Sequence, residues 1–388
     1  MNEILIPFNK PYLTGRETDY IREAVASGKI SGNGVFTQKC QAFFETQYGF
    51  KKALLTTSCT DALEMAAILC GVGPGDEVIV PSYTFVSSAL AFVRQGAKIV
   101  FADSRSDEPN MDVSKIEALI TPRTRVIVPV HYAGVACDMD AVMDIAKRYN
   151  LLVVEDAAQA IDSYYTGRDG VRRALGSIGH FGCFSFHETK NIISGEGGML
   201  TINDNRFITR AEIIWEKGTN RSQFFRGEVN KYGWVDTGSS FLPSEIVAAF
   251  LWAQLENLDD IQAKRIAHWN SYREALVPMA ESLNCKLPVI PPYATNNAHM
   301  FYLVFDDSVR RAEFIDYMKS NGIHTVFHYI SLHSSPYYTK EHDGRILLES
   351  DRYTDCLVRL PLFHQLDVDE VLRVIEEFFD RMDTKDRE

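Results

Sequence analysis

Short apolar runs alternate with segments of helical periodicity between residues 52 and 186, and this alternation constrains the fold more than any other feature of the chain. The runs are apolar along their whole length, which is typical of strands buried on both faces of a parallel sheet. We therefore expect an α/β fold with a mostly parallel sheet covered by helices. The expected strands are residues 53–56, 77–80, 97–101, 125–128, 151–154, 181–186 and 198–202, and the expected helices are residues 60–69, 84–94, 113–120 and 139–149.

The pattern changes near residue 260, where longer helical segments replace the alternating runs. Helical periodicity extends over residues 261–282, and a proline-rich break follows at residues 288–292. The segments 299–305, 310–320 and 371–382 then indicate a smaller α+β unit. We expect a large domain of residues 1–260, with an N-terminal arm, and a small C-terminal domain of residues 261–388.

Composition narrows the classes of partner and compartment. The chain carries 52 acidic and 40 basic residues, and this balance argues against non-specific nucleic-acid binding, which needs clustered Lys and Arg. No apolar run approaches the about 20 residues of a membrane-spanning helix, and residues 1–13 lack the pattern of a signal peptide. The seven cysteines are scattered without CxxC pairs, as expected for reduced thiols. We expect a soluble, cytoplasmic protein with no nucleic-acid or membrane partner.

Several common catalytic motifs are missing from the sequence. There is no GxGxxG, no Walker A loop and no GxSxG elbow. His187-Glu188 begins an HExxH zinc motif, but Asn191 stands where the second histidine belongs. His328 and His333 are read either as metal ligands or as loop or core histidines, and we assign no metal site.

Two segments at the ends of expected strands carry small polar and aromatic residues. The turn of residues 57–62 (TSCTDA) precedes a helix, and its hydroxyls and backbone N–H groups suit a phosphate. Helix capping by Ser58 or Thr60 explains this turn equally well. The segment of residues 81–85 (PSYTF) places Phe85 just beyond a strand, where it either faces a ligand or packs in the core.

Two further segments carry charged residues beyond buried strands. In residues 153–159 (VVEDAAQ), Asp156 is costly to bury without a cationic partner, and Glu155 points the other way along an extended strand. Capping of a following helix is the alternative role of Asp156. Lys190 follows the strand of residues 181–186 and precedes a glycine-rich turn; it is either a surface charge or a catalytic amine.

Taken together and in this order, the four segments match what pyridoxal 5'-phosphate (PLP) requires. A lysine amine bonds the cofactor's aldehyde, and an acid pairs with the pyridinium nitrogen and keeps it protonated. An aromatic ring covers one face of the cofactor, while hydroxyls and helix amides hold the phosphate. The sequence therefore predicts a PLP site at the C-terminal edge of the sheet.

At these residues the chain resembles the sugar aminotransferases of the DegT/DnrJ/EryC1/StrS family. The resemblance runs from Ile6 to the region of Leu362, essentially the whole chain, and it implies the aspartate aminotransferase fold (PLP fold type I): a large mixed, mostly parallel sheet and a smaller C-terminal α+β domain. The segments that carry the resemblance are TSCTDALEMA, PSYTFVS, VPVHYAGVAC, VVEDAAQ, GCFSFHETKN, EKGTNRSQFFRG and NAHMFY.

The resemblance assigns a role to each site residue. It makes Lys190 the Schiff-base lysine, and the relatives in which histidine replaces this lysine act as dehydratases. Ser240 stands where the family has an asparagine that reaches the phosphate of the neighbouring subunit, which implies a homodimer with shared active sites. The remaining cofactor residues implied are Asp156 at the pyridine nitrogen, Gln159 near the ring hydroxyl, Phe85 on the ring, and Cys59, Thr60 and Ser185 at the phosphate.

Within the family, the chain looks most like members that move the amino group of L-glutamate to C4 of a dTDP-linked 4-keto-6-deoxyhexose. Residues 218–226 and 297–302 carry this finer likeness, and Asn220 and Arg221 are the residues we expect to bind the sugar nucleotide. Two alternatives stay open. One is a related aminotransferase that acts at C3 or forms the gluco amine, and the other is a non-enzymatic sugar-nucleotide binding or regulatory protein on the same scaffold.

Overall fold

A computed structural model describes residues 5–280 and 285–385. Seven of its strands form one sheet in the order β1-β9-β8-β5-β4-β2-β3; β2, β3, β4, β5 and β8 are parallel, while β9 is antiparallel to β8 and to β1. The strands are β1 Lys52–Thr56, β2 Glu77–Pro81, β3 Lys98–Ala102, β4 Thr124–Ile127, β5 Leu152–Asp156, β6 Tyr164–Thr166, β7 Arg172–Ala174, β8 Phe181–Ser185, β9 Gly198–Ile202, β10 Cys285–Lys286, β11 Phe301–Phe305 and β12 Leu357–Leu360.

Helices cover both faces of this sheet and most of the C-terminal part of the described chain. The α-helices are α1 Glu17–Ala26, α2 Val35–Tyr48, α3 Cys59–Cys70, α4 Ser87–Val93, α5 Met139–Tyr149, α6 Ile208–Trp215, α7 Arg221–Phe225, α8 Glu245–Leu255, α9 Leu258–Ala280, α10 Ser308–Ser320, α11 Leu348–Cys356 and α12 Val368–Lys385. None of the helices within the described ranges is long and apolar enough to cross a membrane.

The sheet is buried on both faces, as the continuous apolar runs predict. Every residue of β2 and of β9 is buried. Along β1, Ala53 and Leu55 pack into the core on one face and Leu54 into the core on the other, because successive side chains of a strand point to opposite sides. The expected α/β class is confirmed, and the seven expected strands are present with ends within two residues of the prediction.

One predicted helix, residues 113–120, is wrong. The structure has two 3₁₀ turns there, Val113–Lys115 and Glu117–Leu119. Ile120 already has extended backbone angles, and Thr121 precedes Pro122, which disfavours the α conformation for the residue before it. So short a segment gains too little from burial to offset the cost of starting an α-helix.

The C-terminal part contains a three-stranded antiparallel sheet, β10-β11-β12, with α10 and α12 packed against it around a core of its own. Helix α9 joins the two parts: Leu258 and Ile261 pack in a core of the large sheet, and Tyr272 packs in the core of the small one. The predicted boundary at residue 260 lies at the start of this helix. Residues 281–282 of the predicted helical segment lie outside the described residues.

The N-terminal arm connects these two parts from outside. Ile6 pairs with Ile323 beside the small sheet, and the ring of Tyr12 stacks on His364 with centroids 3.7 Å apart. The Tyr12 carbonyl accepts a hydrogen bond from Gln254 of α8 at 2.9 Å. The arm thus carries Phe8 and Asn9 to the cavity described next.

Candidate active site

A cavity of about 950 Å³ opens at the C-terminal ends of β1, β2, β5 and β8 and extends to the small sheet. Open α/β sheets bind ligands at this edge. The structure brings seven of the predicted site residues together in its lining, and they come from four separate segments of the chain: Cys59, Thr60, Phe85, Asp156, Gln159, Ser185 and Lys190.

The turn between β1 and α3 forms one wall of the cavity. Ser58 is the N-cap of α3, and its Oγ accepts a hydrogen bond from the Asp61 N–H at 3.0 Å. Thr60 is not the cap; its hydroxyl lies 2.7 Å from that of Ser87. The first-turn N–H groups of a helix have no intrahelical acceptors, so capping by Ser58 is compatible with the predicted phosphate site.

Gly198 of β9 keeps this turn in place. A Cβ on Gly198 would collide with the backbone of Ser58 and Cys59, so only glycine lets the strand and the turn approach this closely. A cradle of backbone N–H groups and hydroxyls at a helix N-terminus suits a dianionic phosphate.

Asp156 ends β5 and is 5% exposed. Its carboxylate accepts hydrogen bonds from Ser88 Oγ at 2.6 Å and from the Ala158 N–H at 3.1 Å. Within the described ranges no Lys or Arg lies in ion-pair distance of this carboxylate, and the chain enters turns rather than a helix after it. The alternative of a helix cap is therefore wrong, and a buried carboxyl group that needs a cationic partner faces the cavity.

Glu155 faces the other way and has a structural role. Its carboxylate accepts the N–H groups of Gly176 at 2.8 Å, Ile178 at 2.7 Å and Gly179 at 2.6 Å. The ring Nε2 of His131 lies 2.9 Å from the same carboxylate. The opposite orientation of these two adjacent acids agrees with the sequence prediction.

Lys190 lies in the turn after β8, where its N–H donates to the His187 carbonyl at 2.9 Å. Burial lowers the pKa of its ammonium; Cys59 and Asp156 oppose this shift, and the charge of Arg359 adds to it. Lys190 is therefore not a solvated surface charge, and its amine is held closer to the neutral form that a nucleophile or base requires.

Gln159 and Phe85 complete the predicted part of the lining. The Gln159 side chain accepts from the Ala133 N–H at 2.6 Å and donates to the Tyr329 hydroxyl at 2.9 Å. Phe85 is 56% exposed, so the core-packing alternative is wrong, and its ring lies 6.2 Å from that of Tyr329 at the cavity mouth.

The lining also contains residues that the sequence analysis did not single out. His299 Nδ1 lies 2.9 Å from the Asn191 side chain, and burial lowers the pKa of this histidine well below its ordinary value. Arg359 comes from β12. A single signal pointed to it, a charge inside the apolar run of residues 357–363. Phe8 and Tyr329 are further lining residues of this kind, and His328, considered above only as a metal ligand, also lines the cavity.

The predicted nucleotide-binding residues lie outside this lining. Arg221 is 3.9 Å from Glu216 and its guanidinium lies 5.2 Å from the ring centroid of Phe225. The Asn220 side chain accepts a hydrogen bond from the Gly233 N–H at 2.8 Å. Ser240 is exposed, and its backbone forms an isolated antiparallel β-bridge with Glu216. The three residues thus belong to one surface segment, residues 216–240.

The two histidines left open as metal ligands are bonded to the protein. His328 Nδ1 lies 2.7 Å from the Tyr132 hydroxyl, and His333 Nδ1 lies 2.8 Å from the Ser82 hydroxyl. Across residues 5–280 and 285–385, no cluster of three or more His, Cys, Asp or Glu side chains suits a metal ion.

The donor set at this cavity fits PLP: an amine, a buried carboxylate without a protein cation, and a phosphate cradle. Together with the mixed seven-stranded sheet, it defines the class of PLP-dependent enzymes of fold type I. The model of the DegT/DnrJ/EryC1/StrS aminotransferase family matches residues 11–379, and the chain belongs to this family. It is a PLP-dependent sugar aminotransferase, as the sequence resemblance implies.

Three similar proteins illustrate the match. The spore coat polysaccharide biosynthesis protein SpsC of Bacillus subtilis (strain 168) is 33% identical over 383 residues, which cover 96% of this chain and 95% of SpsC. GDP-perosamine synthase of Caulobacter vibrioides is 36% identical over 295 residues, 76% of this chain and 74% of the synthase. The structure of S. venezuelae DesV in complex with a ketimine intermediate has 30% identity and a TM-score of 0.86, covering 96% of this chain and 98% of DesV.

Proposed function

We propose that this enzyme transfers the amino group of L-glutamate to C4 of dTDP-4-keto-6-deoxy-D-glucose. The product is dTDP-4-amino-4,6-dideoxy-D-galactose, a building block for cell-surface polysaccharide such as lipopolysaccharide. The observation that carries the aminotransferase chemistry is the shared cavity of Lys190 and Asp156. The seven free cysteines favour the cytoplasm as the compartment.

PLP, when bound, supplies an aldehyde that takes up the amino group and a ring that stores the electron pair of the broken C–H bond. Lys190 is the residue that would hold the cofactor covalently. With PLP bound, the freed Nζ of Lys190 would take the proton from Cα of the donor amino acid, and this requires a neutral amine. Asp156, fixed by Ser88 and the Ala158 N–H, holds the ring nitrogen protonated.

The remaining residues position the cofactor. The α3 N-terminus, with the Thr60 and Ser185 hydroxyls, binds the phosphate and fixes the direction of the ring. Gln159, braced between the Ala133 N–H and Tyr329, approaches the ring hydroxyl. Phe85 covers the open side of the cavity and limits the access of water.

The exposed segment of residues 216–240 serves the active site of a second subunit. Phe225 and Trp234 on this segment are 68% and 84% exposed, which is typical of rings that an interface covers. Placed at the partner's cavity, Ser240 reaches the cofactor phosphate, while Asn220 and the Arg221 guanidinium bind the sugar diphosphate. The enzyme is then a homodimer whose sites each need both chains.

A subunit-mixing experiment tests this arrangement. We expect the Lys190→Ala and Arg221→Ala enzymes to be inactive or weak alone. When the two are refolded together, about half of the dimers contain one chain of each kind, and one of the two sites in each mixed dimer is intact. The mixture should therefore recover about a quarter of the parent activity. If mixing restores nothing, or if sedimentation shows a fully active monomer, the two residues do not act on one site from different subunits.

The finer substrate assignment rests on the likeness of residues 218–226 and 297–302. The structure divides the second segment: His299 and Met300 line the cavity, whereas Asn297 braces the carbonyls of Gln159 and Ile161 at 2.8 Å each. SpsC is named for polysaccharide biosynthesis and the Caulobacter relative for GDP-perosamine. A GDP-linked 4-keto sugar is therefore the competing substrate.

The test is incubation with L-glutamate and a panel of dTDP-, GDP- and UDP-linked 4-keto and 3-keto sugars, with the product identified by NMR. We expect an axial C4 amine from the dTDP-linked 4-keto sugar. Amination of only a GDP- or UDP-linked sugar, of a 3-keto sugar, or to an equatorial amine would overturn the substrate assignment. A colourless protein that borohydride does not alter would contradict the assignment of Lys190 as the lysine that binds the cofactor.

A further inference from the structure

His299 lines the cavity, and the chemistry proposed above gives it no role. Its backbone is fixed on both sides: the N–H donates to the Asn297 side chain at 3.0 Å, and the carbonyl accepts from the buried Arg265 at 2.7 Å. The preceding residue, Ala298, has a φ of 51°, in the left-handed region that a residue with a Cβ adopts only when its surroundings impose it. The imidazole is therefore held at a defined place in the cavity wall.

The side chain of Asn191 determines which ring nitrogen of His299 carries the proton. Asn191 Nδ2 donates to the Asn297 carbonyl at 2.8 Å and to Gln262 Oε1 at 2.9 Å. A backbone carbonyl can only accept, so the amide of Asn191 cannot be turned round. Its oxygen therefore faces His299 Nδ1 at 2.9 Å, and Nδ1 is the nitrogen that donates.

The other ring nitrogen, Nε2, is left as a hydrogen-bond acceptor. Burial and the charges of Lys190, Arg265 and Arg359 lower the pKa of His299 well below its ordinary value, so the ring is neutral. Across residues 5–280 and 285–385, no group of the protein donates a hydrogen bond to Nε2. This nitrogen lies on the ring edge away from Asn191, and it is accessible from the cavity.

A neutral acceptor in a cavity wall is matched by a ligand group that donates. The carboxylates of L-glutamate and the carbonyl of the keto sugar only accept. The amino group of L-glutamate must stay free to react with the cofactor. The donors that remain are the hydroxyl groups of the hexose.

The position of His299 distinguishes between these hydroxyl groups. The charge of Lys190 acts on His299, so the two side chains are close to each other. The carbon that is aminated must also come within reach of Lys190. The hydroxyl group on the neighbouring carbon is therefore the one nearest to His299.

We infer that His299 Nε2 accepts a hydrogen bond from the hydroxyl group next to the carbonyl of the keto sugar, and thereby selects this sugar over its deoxy counterpart. The inference rests on the proposed function and deepens it. In a 4-keto sugar the group is the 3-hydroxyl, and in a 3-keto sugar it is the 4-hydroxyl or the 2-hydroxyl. His299 acts in the half-reaction with the sugar and not in the one with L-glutamate.

The test compares the 4-keto-6-deoxy sugar nucleotide with its 3-deoxy counterpart, starting from the amino form of the cofactor. We expect the parent enzyme to prefer the hydroxylated sugar by about tenfold or more in kcat/KM, because the deoxy sugar leaves a buried acceptor unpaired. His299→Leu should lose most of this preference by slowing the reaction of the hydroxylated sugar. His299→Gln should keep part of it, since its amide oxygen can reach the place of Nε2.

A histidine outside the cavity provides the matched control. His180 precedes β8, and its Nδ1 accepts the Val153 N–H at 3.0 Å at the opposite edge of the sheet. His180→Gln should keep the preference of the parent enzyme. In all variants the half-reaction with L-glutamate should run within a few-fold of the parent rate, because His299 has no partner on that substrate.

Two further measurements separate a specific contact from general damage. Calorimetry of the cofactor-free proteins should show tighter binding of the hydroxylated sugar to the parent, and a smaller difference for His299→Leu. Nitrogen NMR of histidine-labelled protein, with His299→Gln to assign the signal, should show the proton on Nδ1. An equal loss for both sugars, an unchanged preference in His299→Leu, or a proton on Nε2 would overturn the inference.

Failure of the proposed function gives a different result. If the parent enzyme aminates none of the keto sugars, the proposed function is wrong, while the calorimetric comparison and the position of the ring proton still measure what His299 does. Equal affinity of the parent protein for the two sugars would then overturn the inference by itself.

Discussion

The adjacent acids Glu155 and Asp156 provide a sharp test, because changing each carboxylate to its amide should affect a different property. The change should reduce stability at Glu155 and turnover at Asp156. Glu155 Oε1 accepts the Ile178 and Gly179 N–H groups, and Oε2 accepts the Gly176 N–H and faces His131 Nε2. Four donors therefore converge on one carboxylate that is fully buried.

In Glu155→Gln the carboxamide keeps one oxygen, and in either orientation its NH₂ group meets two donors. His131 cannot adapt, because its Nδ1 accepts from the Cys137 N–H at 3.3 Å and the ring proton stays on Nε2. Two hydrogen bonds to a charged group are lost, at about 1.5–3 kcal/mol each. We expect the free energy of unfolding to fall by about 3 kcal/mol or more, a large part of the about 5–15 kcal/mol typical of a folded domain.

Asp156→Asn should have little effect on stability. The amide oxygen still accepts the Ala158 N–H, and the amide NH₂ finds an acceptor in the Ser88 hydroxyl, which can rotate. We expect stability within about 1 kcal/mol of the parent. Turnover should fall by orders of magnitude, because the neutral amide cannot keep the ring nitrogen protonated.

Urea unfolding of the cofactor-free proteins and steady-state rates of the loaded enzymes give the two readouts. The reasoning predicts an unstable but competent Glu155→Gln enzyme and a stable but slow Asp156→Asn enzyme. Parent-like stability of Glu155→Gln, or parent-like turnover of Asp156→Asn, would refute the division of roles between the two acids.

Three other predictions concern the cavity walls. Lys190→Ala should reduce turnover by about 10³-fold or more, since no other lining residue supplies a neutral amine; a parent-like rate without added amine would exclude it as the catalytic lysine. Arg359→Gln should raise the pKa of Lys190, because a neighbouring positive charge is removed. The pH dependence of labelling by an amine reagent, measured at Lys190 of the cofactor-free protein by mass spectrometry, should then have its midpoint at higher pH. A midpoint at the same or a lower pH would contradict this. Gly198→Ala should weaken cofactor binding, measured by equilibrium titration, because its methyl group displaces the Ser58–Cys59 turn; unchanged affinity would show that the turn is not the phosphate seat.

The sequence predicts the large sheet well for a physical reason. Strands buried on both faces must be apolar throughout, and the turns that follow them carry the polar residues that bind ligands. Asp156, Gln159 and Lys190 therefore stand out as polar groups directly after apolar runs. The predicted helix at residues 113–120 fails because two buried positions and a nearby proline cannot sustain an α-helix.

What the sequence does not indicate comes from contacts between distant segments. Ser88 holds Asp156 across 68 positions of the chain, and Gln159 bonds to Tyr329 across 170. Neither partner belongs to a local motif, since Ser88 lies in α4 and Tyr329 lies in a loop. Arg359 enters the cavity only because the small sheet packs against the large one, an arrangement that local periodicity does not encode.

The lining of the cavity extends along the chain from Phe8 to Leu362, in a protein of 388 residues. During synthesis, the phosphate turn, Asp156 and Lys190 leave the ribosome long before β12 and the segment that carries Tyr329. A nascent chain therefore has the residues that we propose hold the cofactor before it has Arg359, and the N-terminal arm cannot pair at Ile6 until Ile323 has been synthesised. We therefore expect the cavity to be completed only after β12 has been synthesised, and a chain that ends before β12 would carry Lys190 in an open, unfinished site.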